Sequence, residues 1–572
     1  MREKIEIMGK EIKMTDEAKK MLNGEDELED EADAFAAELT LSGTERIRQL
    51  AEAGDAAAQD RLGDCYKHGL GVAENHAAAV EWYKKSAEQG NAAAQRSLGY
   101  CYDYGQGVKM DKEKAVYWYE KSAIGGDVDA QRNLGNCYLH GWGVAQDYEK
   151  AVYWYEIAAR HGHPDAECSL AHCYSDGKGV PQDYKKAVEW YQKAAHHGNV
   201  EAVGNLGVLY TYGRGVEKDE RTAAEYFRRA ADRGDANSQY NLGACYYWGD
   251  GVELDYDKAF YWYQKAARQR NADGQYGLGR CYDEGNGAKQ DAEKAAQWYR
   301  KAAQQGHTIA QYYLGLCYEN GEGVEQDYAK AAQWYQKAAE KGDEDAQYRL
   351  GWCHENGFGV ERDADKAAAW YKKGAENGSA NAQYALGWCY EHGRGVAKDY
   401  DAAVKWYEKG AENGNASAQL SLGNCYKAGL GVEQDHEKAA KWYREAAEQD
   451  NADAQLALGR SYFNGNGVEA DKQQAVAWFQ RAAQQGHAVA QSNMGNCYAS
   501  GQGVERDMGK AVEWYEKAAE NGNAIAQFNA GYLYATGQAG VQDLEKAVKW
   551  LSQSAAQGNA DAQKVLRMLG YM

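Results

Sequence analysis

The chain repeats itself every 36 residues. The frame Ala58-Gln59, Leu62-Gly63, Cys65-Tyr66, Gly69 and Gly71-Val72 returns as Ala94-Gln95, Leu98-Gly99, Cys101-Tyr102, Gly105 and Gly107-Val108. Gln131, Gln239, Gln275, Gln311, Gln347, Gln383, Gln419, Gln455, Gln491 and Gln527 keep the register, and Glu167 and Val203 hold it in two weaker copies. That makes 14 copies and a final half-copy at Gln563. A fixed period of this size means one supersecondary unit per repeat, each burying its apolar face against its neighbours.

Every unit reads as two helices. Helix A follows a capping residue (Asp55, Asn91, Asp127, Asn199) whose side chain can accept from the first free amides. It ends at a Gly-x-Gly segment such as Gly69-Leu70-Gly71. Helix B starts after Asp111, Asp147 or Asp183 and ends at Gly54, Gly90, Gly126 or Gly162. At about 100° per residue, the constant residues Ala58, Gln59, Leu62, Gly63, Cys65 and Tyr66 share one side of helix A. The variable Asp60, Arg61, Asp64, Lys67 and His68 share the other. The constant side is expected to pack and the variable side to face solvent. Helix B carries a Trp-Tyr pair (Trp82-Tyr83, Trp118-Tyr119, Trp334-Tyr335), varied as Tyr226-Phe227, Trp478-Phe479 and Trp550-Leu551. So strict a recurrence marks both rings as packing residues.

The pattern Ala-Gln-x-x-Leu-Gly-x-x-Tyr, then Gly-x-Gly-Val-x-x-Asp, then Lys-Ala-Val-x-Trp-Tyr-x-Lys-Ala-Ala resembles the Sel-one-like repeat family, relatives of the tetratricopeptide repeat. The resemblance runs from about Thr44 to Gln563. It implies an all-α fold, a right-handed α-solenoid of 14 helix pairs of 36 residues closed by half-repeat caps. It also implies a scaffold or adaptor role, with helix A lining a concave groove. The family's secreted, cysteine-rich branch has two cysteines per repeat, bridging the helices, whereas this chain has one. The domain reading is 1–43, an acidic N-terminal segment that is partly disordered or weakly helical, and 44–572, the solenoid with its caps. Glu25 to Asp33 contains seven acids and no base.

Charge and chemistry exclude several functions. A net charge of −21 repels phosphate backbones, so no nucleic acid is expected. No stretch approaches the roughly 20 apolar residues of a membrane span. Met1 to Lys20 lacks the apolar core of a secretory signal, which points to a cytoplasmic monomer, the alternative being export by a route without a cleavable signal. Eleven of the twelve cysteines share one repeat position. Equivalent helices about 8–10 Å apart cannot place them for disulfides or a zinc site, so they read as buried free thiols. Cys168 stands apart, at a variable position. The histidines are scattered, with His163, His307 and His487 at caps. No catalytic grouping recurs, so no enzyme, cofactor or metal is expected.

The variable face carries the candidate site. After the register glutamine come Tyr240, Tyr276, Tyr312, Tyr348 and Tyr384. One turn on lie Arg280, Leu316, Trp352 and Trp388, then Asp283, Glu319, Glu355 and Glu391, with His392 beside the last. An aromatic stripe next to an acidic one predicts a solvent-facing groove for a protein or extended peptide with basic and apolar residues. The alternative function is an exported or surface factor engaging a host or cell-envelope component.

Overall fold

The computed structural model describes residues 4–7, 10–13, 41–538, 540 and 542–571. Thirty helices run from Leu41 to Met568 among the described residues. Fourteen A/B pairs follow a lone helix, Leu41–Glu52, and precede another, Ala560–Met568. The fold is an α-solenoid. The first helix begins three residues ahead of Thr44, where the sequence places the capping half-unit.

The N-terminal segment departs from its weakly helical reading. Lys4–Ile7 and Lys10–Lys13 pair as antiparallel strands, Ile5 opposite Ile12. Isoleucine alternating with charge on both sides of Met8-Gly9 is a period-two pattern, which favours a strand pair. The acidic run 25–33 lies outside the described residues.

The chain divides into two compact units, residues 1–277 and 278–572, with the boundary inside helix Ala272–Glu284. In the first unit, Ala79, Val80, Tyr83 and Ala87 of helix B His76–Glu88 pack on Ala94, Leu98 and Cys101 of the next helix A, Ala92–Tyr104. In the second unit, Ala403, Val404, Tyr407 and Ala411 pack on Ala418, Leu422 and Cys425 in the same way. Contacts between neighbours are therefore one motif used again and again. The tyrosine is its wedge, because it also presses on helix A of its own repeat. A Cβ built on Gly63 would meet Cε1 of Tyr83 at 2.5 Å, so that position has no room for any side chain.

Most polar groups inside the stack are paired, the oxygens of Gln131 and Gln311 being among the exceptions. The register glutamine donates to a carbonyl of the preceding helix B: Gln95 Nε2 to Ala87 O at 3.0 Å, Gln383 Nε2 to Ala375 O at 3.2 Å. Where the end of the repeat carries glutamine or asparagine, the register glutamine's own oxygen accepts from that residue, as Gln59 does from Gln89 at 2.7 Å and Gln383 from Asn413 at 2.9 Å. One side chain thus ties three helices, and this explains a polar residue held in so apolar a seam. Where Glu167 replaces glutamine, His197 Nδ1 stands 2.8 Å away in the partner position.

Both helices are capped as the sequence indicates. Asp55 accepts from Ala58 N at 2.7 Å and Asp111 from Lys114 N at 3.0 Å. His163, His307 and His487 cap through Nδ1. Each cap contributes about 1 kcal/mol. The second glycine of the turn, Gly107, has φ +72, and a Cβ there would lie 2.2 Å from the carbonyl oxygen of His76 in the preceding repeat. That turn is a backbone-to-backbone seat between neighbours and leaves no space for a phosphate.

Candidate partner-binding surface

In the second unit, helices A at Thr308–Asn320, Glu344–Asn356 and Ala380–His392 carry the predicted aromatic stripe. Tyr312, Tyr348 and Tyr384 are half-buried. Their rings tilt against the wedge tyrosine of the same repeat: Tyr312 on Tyr335 at 6.0 Å, Tyr348 on Tyr371 at 5.8 Å, Tyr384 on Tyr407 at 6.0 Å. Burial raises the hydroxyl pKa of all three. Trp352 and Trp388 are half-buried as well. Trp352 lies 4.8 Å from Phe358, which stacks on Tyr328 of the preceding repeat at 5.0 Å. Trp388 stacks at 4.5 Å on the exposed His392, whose Nδ1 lies 3.0 Å from Trp388 O. In the first unit, Tyr240 and Tyr276 are also half-buried, and Tyr240 lies 5.7 Å from Tyr263.

These rings are not the free-standing, solvent-facing stripe that helical periodicity predicts. The position after the register glutamine sits at the edge of the seam. Tyr240, Tyr312, Tyr348 and Tyr384 each lean on the wedge tyrosine of their own repeat and keep part of their surface in solvent.

The acids differ more. Tyr335 donates to Glu319 Oε2 at 2.5 Å, Tyr371 to Glu355 Oε2 at 2.6 Å and Tyr407 to Glu391 Oε2 at 2.6 Å. Glu319 is buried and also pairs with Arg349 at 3.0 Å. The acidic stripe is first a set of acceptors for the core, because a buried phenol without a partner costs about 1–3 kcal/mol. Glu355 and Glu391 keep part of their surface in solvent.

Most other repeats obey the same rule, the repeat of Tyr263, with Ala244 and Tyr247 at the two positions, being an exception. In other repeats the acceptor sits one turn earlier on helix A: Asp64 for Tyr83 at 2.6 Å, Asn136 for Tyr155 at 2.5 Å, Asn424 for Tyr443 at 2.8 Å. Where the wedge is Phe227, Phe479 or Leu551, neither position holds an acid: they are Val208 and Thr211, Arg460 and Phe463, Tyr532 and Ala535. That correlation was available in the sequence, but only to a reading that compares helix A with helix B within each repeat.

The Trp-Tyr pair is split between two environments. Tyr335 is fully buried whereas Trp334 is half-buried, with Lys337 Nζ 3.8 Å from its ring centre. The same lysine-on-tryptophan contact recurs at Trp82, Trp298 and Trp370. All twelve cysteines are buried, and none is in a disulfide among the described residues. No described helix is long and apolar enough to cross a membrane.

Comparison with known proteins agrees with this geometry. The Sel1 repeat profile matches fourteen consecutive segments that tile residues 56–559. A protective antigen present in uropathogenic Escherichia coli strains, displaying an SLR fold, is 32% identical over 91% of this chain and 97% of its own, with a TM-score of 0.55. A Sel1 repeat protein from Oxalobacter formigenes is 38% identical over 54% of this chain and 89% of its own, with a TM-score of 0.43. No curated protein matches the chain. With fourteen consecutive repeats matched over most of its length, the chain belongs to the Sel1 repeat family.

Proposed function

We propose that this protein is a scaffold or adaptor that binds partner proteins through the exposed side of its A helices. The observation that carries the reading is the run of half-covered rings in the second unit, Tyr348, Tyr384, Trp352 and Trp388 on two successive A helices. The wedge tyrosines back Tyr348 and Tyr384, Phe358 backs Trp352 and His392 stacks on Trp388, so a ligand meets ordered aromatic surface and little ordering entropy is lost on binding. The partner is an extended segment with apolar residues for the rings and basic residues for the exposed parts of Glu355 and Glu391. The role is non-catalytic, the working form a monomer, and twelve buried thiols outside any disulfide suit a reducing cytoplasm.

The test is Trp352→Asn with Trp388→Asn in the full chain, with captured proteins compared quantitatively with those taken by the unaltered chain. Asparagine occupies the same position at Asn136, Asn424 and Asn496, so the helices tolerate it. The expected result is at least a tenfold loss of the main partner, about 1.4 kcal/mol. Undiminished capture overturns this surface.

A second reading, an exported or surface recognition factor, draws support from the likeness to the protective antigen. Cell fractionation separates the two, since a scaffold of the cytoplasm stays with the soluble intracellular pool.

A further inference from the structure

Cys168 is the cysteine that the repeat does not explain, and its neighbours give it a use. It follows the register position on helix Pro164–Asp176, where other repeats carry Asp60, Arg96, Arg132 or tyrosine. The stacking brings this position against the second residue of the next repeat. In the second repeat that contact is Arg96 with Asp129, 3.6 Å. In the third it is Arg132 with Asp165, 3.9 Å. In the fourth, the carboxylate persists as Glu201 but the arginine has become Cys168. At this position the ladder keeps its anion and loses its own cation, while the Arg132 charge of the preceding repeat still acts on both Cys168 and Glu201.

A third donor lies between them. His172, one helical turn after Cys168, points Nε2 at Glu201 Oε1, 3.2 Å away. Its Nδ1 is held by the wedge hydroxyl of Tyr191 at 2.9 Å, which fixes the ring. One ligand atom from each of Cys168, His172 and Glu201 lies within 4.8 Å of the others. We propose that Cys168 Sγ, His172 Nε2 and a Glu201 oxygen bind one zinc-class divalent cation, which replaces the arginine charge of the preceding repeats.

The geometry fits the chemistry. Bonds of about 2.0–2.1 Å at a tetrahedral angle set N and O roughly 3.3 Å apart, close to the observed 3.2 Å. Thiolate, imidazole and carboxylate together are a donor set for zinc rather than for calcium or magnesium. Tyr191 on the far ring nitrogen is the outer-shell partner that such a histidine needs. Cys168 is 3% exposed and forms the floor, while His172 and Glu201 are open enough to admit an ion. The fourth position falls to solvent. A thiolate ligand forms only with loss of the thiol proton, so binding should tighten as pH rises.

The chain itself supplies the test variants. Ser492 occupies the Cys168 position, and Asn136, Asn424 and Asn496 occupy the His172 position and accept from the wedge tyrosine. Full-length protein freed of metal by a chelator is titrated with Co2+, and the thiolate-to-cobalt charge-transfer band is followed. The expected result is saturation at about one Co2+ per chain, displacement by Zn2+, and loss of the band in Cys168→Ser. His172→Asn and Glu201→Gln should each weaken binding by at least about tenfold with helicity unchanged. No band in the unaltered chain, or a band that survives Cys168→Ser, overturns the site. Should Cys168→Ser melt the repeat, unchanged affinity in His172→Asn overturns it instead.

Discussion

Cδ1 of Tyr371 would lie 2.6 Å from a Cβ built on Gly351, and the carbonyl oxygen of Ala367 would lie 3.2 Å from it. The ring occupies the side-chain volume that the glycine vacates, so the two helices of a repeat meet at the closest separation a tyrosine permits. Gly351→Ala should therefore destabilise by about 1–3 kcal/mol through overpacking. Hydrogen exchange should locate the loss in its own and the adjacent repeats. A neutral substitution would mean that the helices can separate without cost.

Tyr335→Ala should cost more than Trp334→Ala. The tyrosine is fully buried and bonded to Glu319, so its loss empties the wedge and leaves a buried carboxylate with Arg349 in place of two partners. Roughly 3–5 kcal/mol is expected for it. Trp334 is half in solvent, and about 1–3 kcal/mol is expected for its removal. Urea midpoints of the two variants measure the order, and the reverse order would contradict the assigned faces.

Gln383→Glu should weaken the seam, because a carboxylate cannot donate to the carbonyl of Ala375. Adding Asn413→His should recover part of the loss, since it rebuilds the pair that Glu167 and His197 form at 2.8 Å. The expected coupling in a double-mutant cycle exceeds about 0.5 kcal/mol. Additive losses would show that the tie depends on more than these two side chains.

Burial pushes the thiols of Cys101 and Cys497 up to about 11 and those of Cys353, Cys389 and Cys425 up to about 12. Unfolded thiols titrate near about 8.5. The native chain thus holds protons that the unfolded chain releases. This stabilisation is complete below about pH 8.5 and is lost as pH rises from there toward the native values. Urea midpoints between about pH 7 and 9.5, below ordinary tyrosine ionisation, should fall as pH rises. Cys389→Ser should flatten part of that slope; a flat profile in the unaltered chain would place the thiols in water. Native protein should also react slowly with thiol reagents.

The fold was readable because repetition separates signal from noise. Asp111, Gly69 and Leu62 each recur often enough for cap, stop and core to be told apart without a structure. The candidate site was less readable. Periodicity assigns Tyr348 and Glu355 to the far side of helix A from Leu350, and that angular argument holds for an isolated helix. In the stack, helix B reaches round with a long tyrosine, so residues well away from the apolar stripe become its ring cover and its acceptor. Likewise Trp334 recurs as strictly as Tyr335 yet stays half-exposed, since recurrence reports a repeated contact and not its depth.

The glutamine ties join only adjacent repeats, and each begins and ends at equivalent positions. Excising 36 residues between two such positions within one unit would bring together ends that already know each other's chemistry. Chain length is therefore a heritable variable that recombination can alter by whole steps without inventing a new junction. The exception is the stretch where Arg132 meets Asp165 and Cys168 meets Glu201, whose partners are matched by identity and would be mispaired by the same exchange.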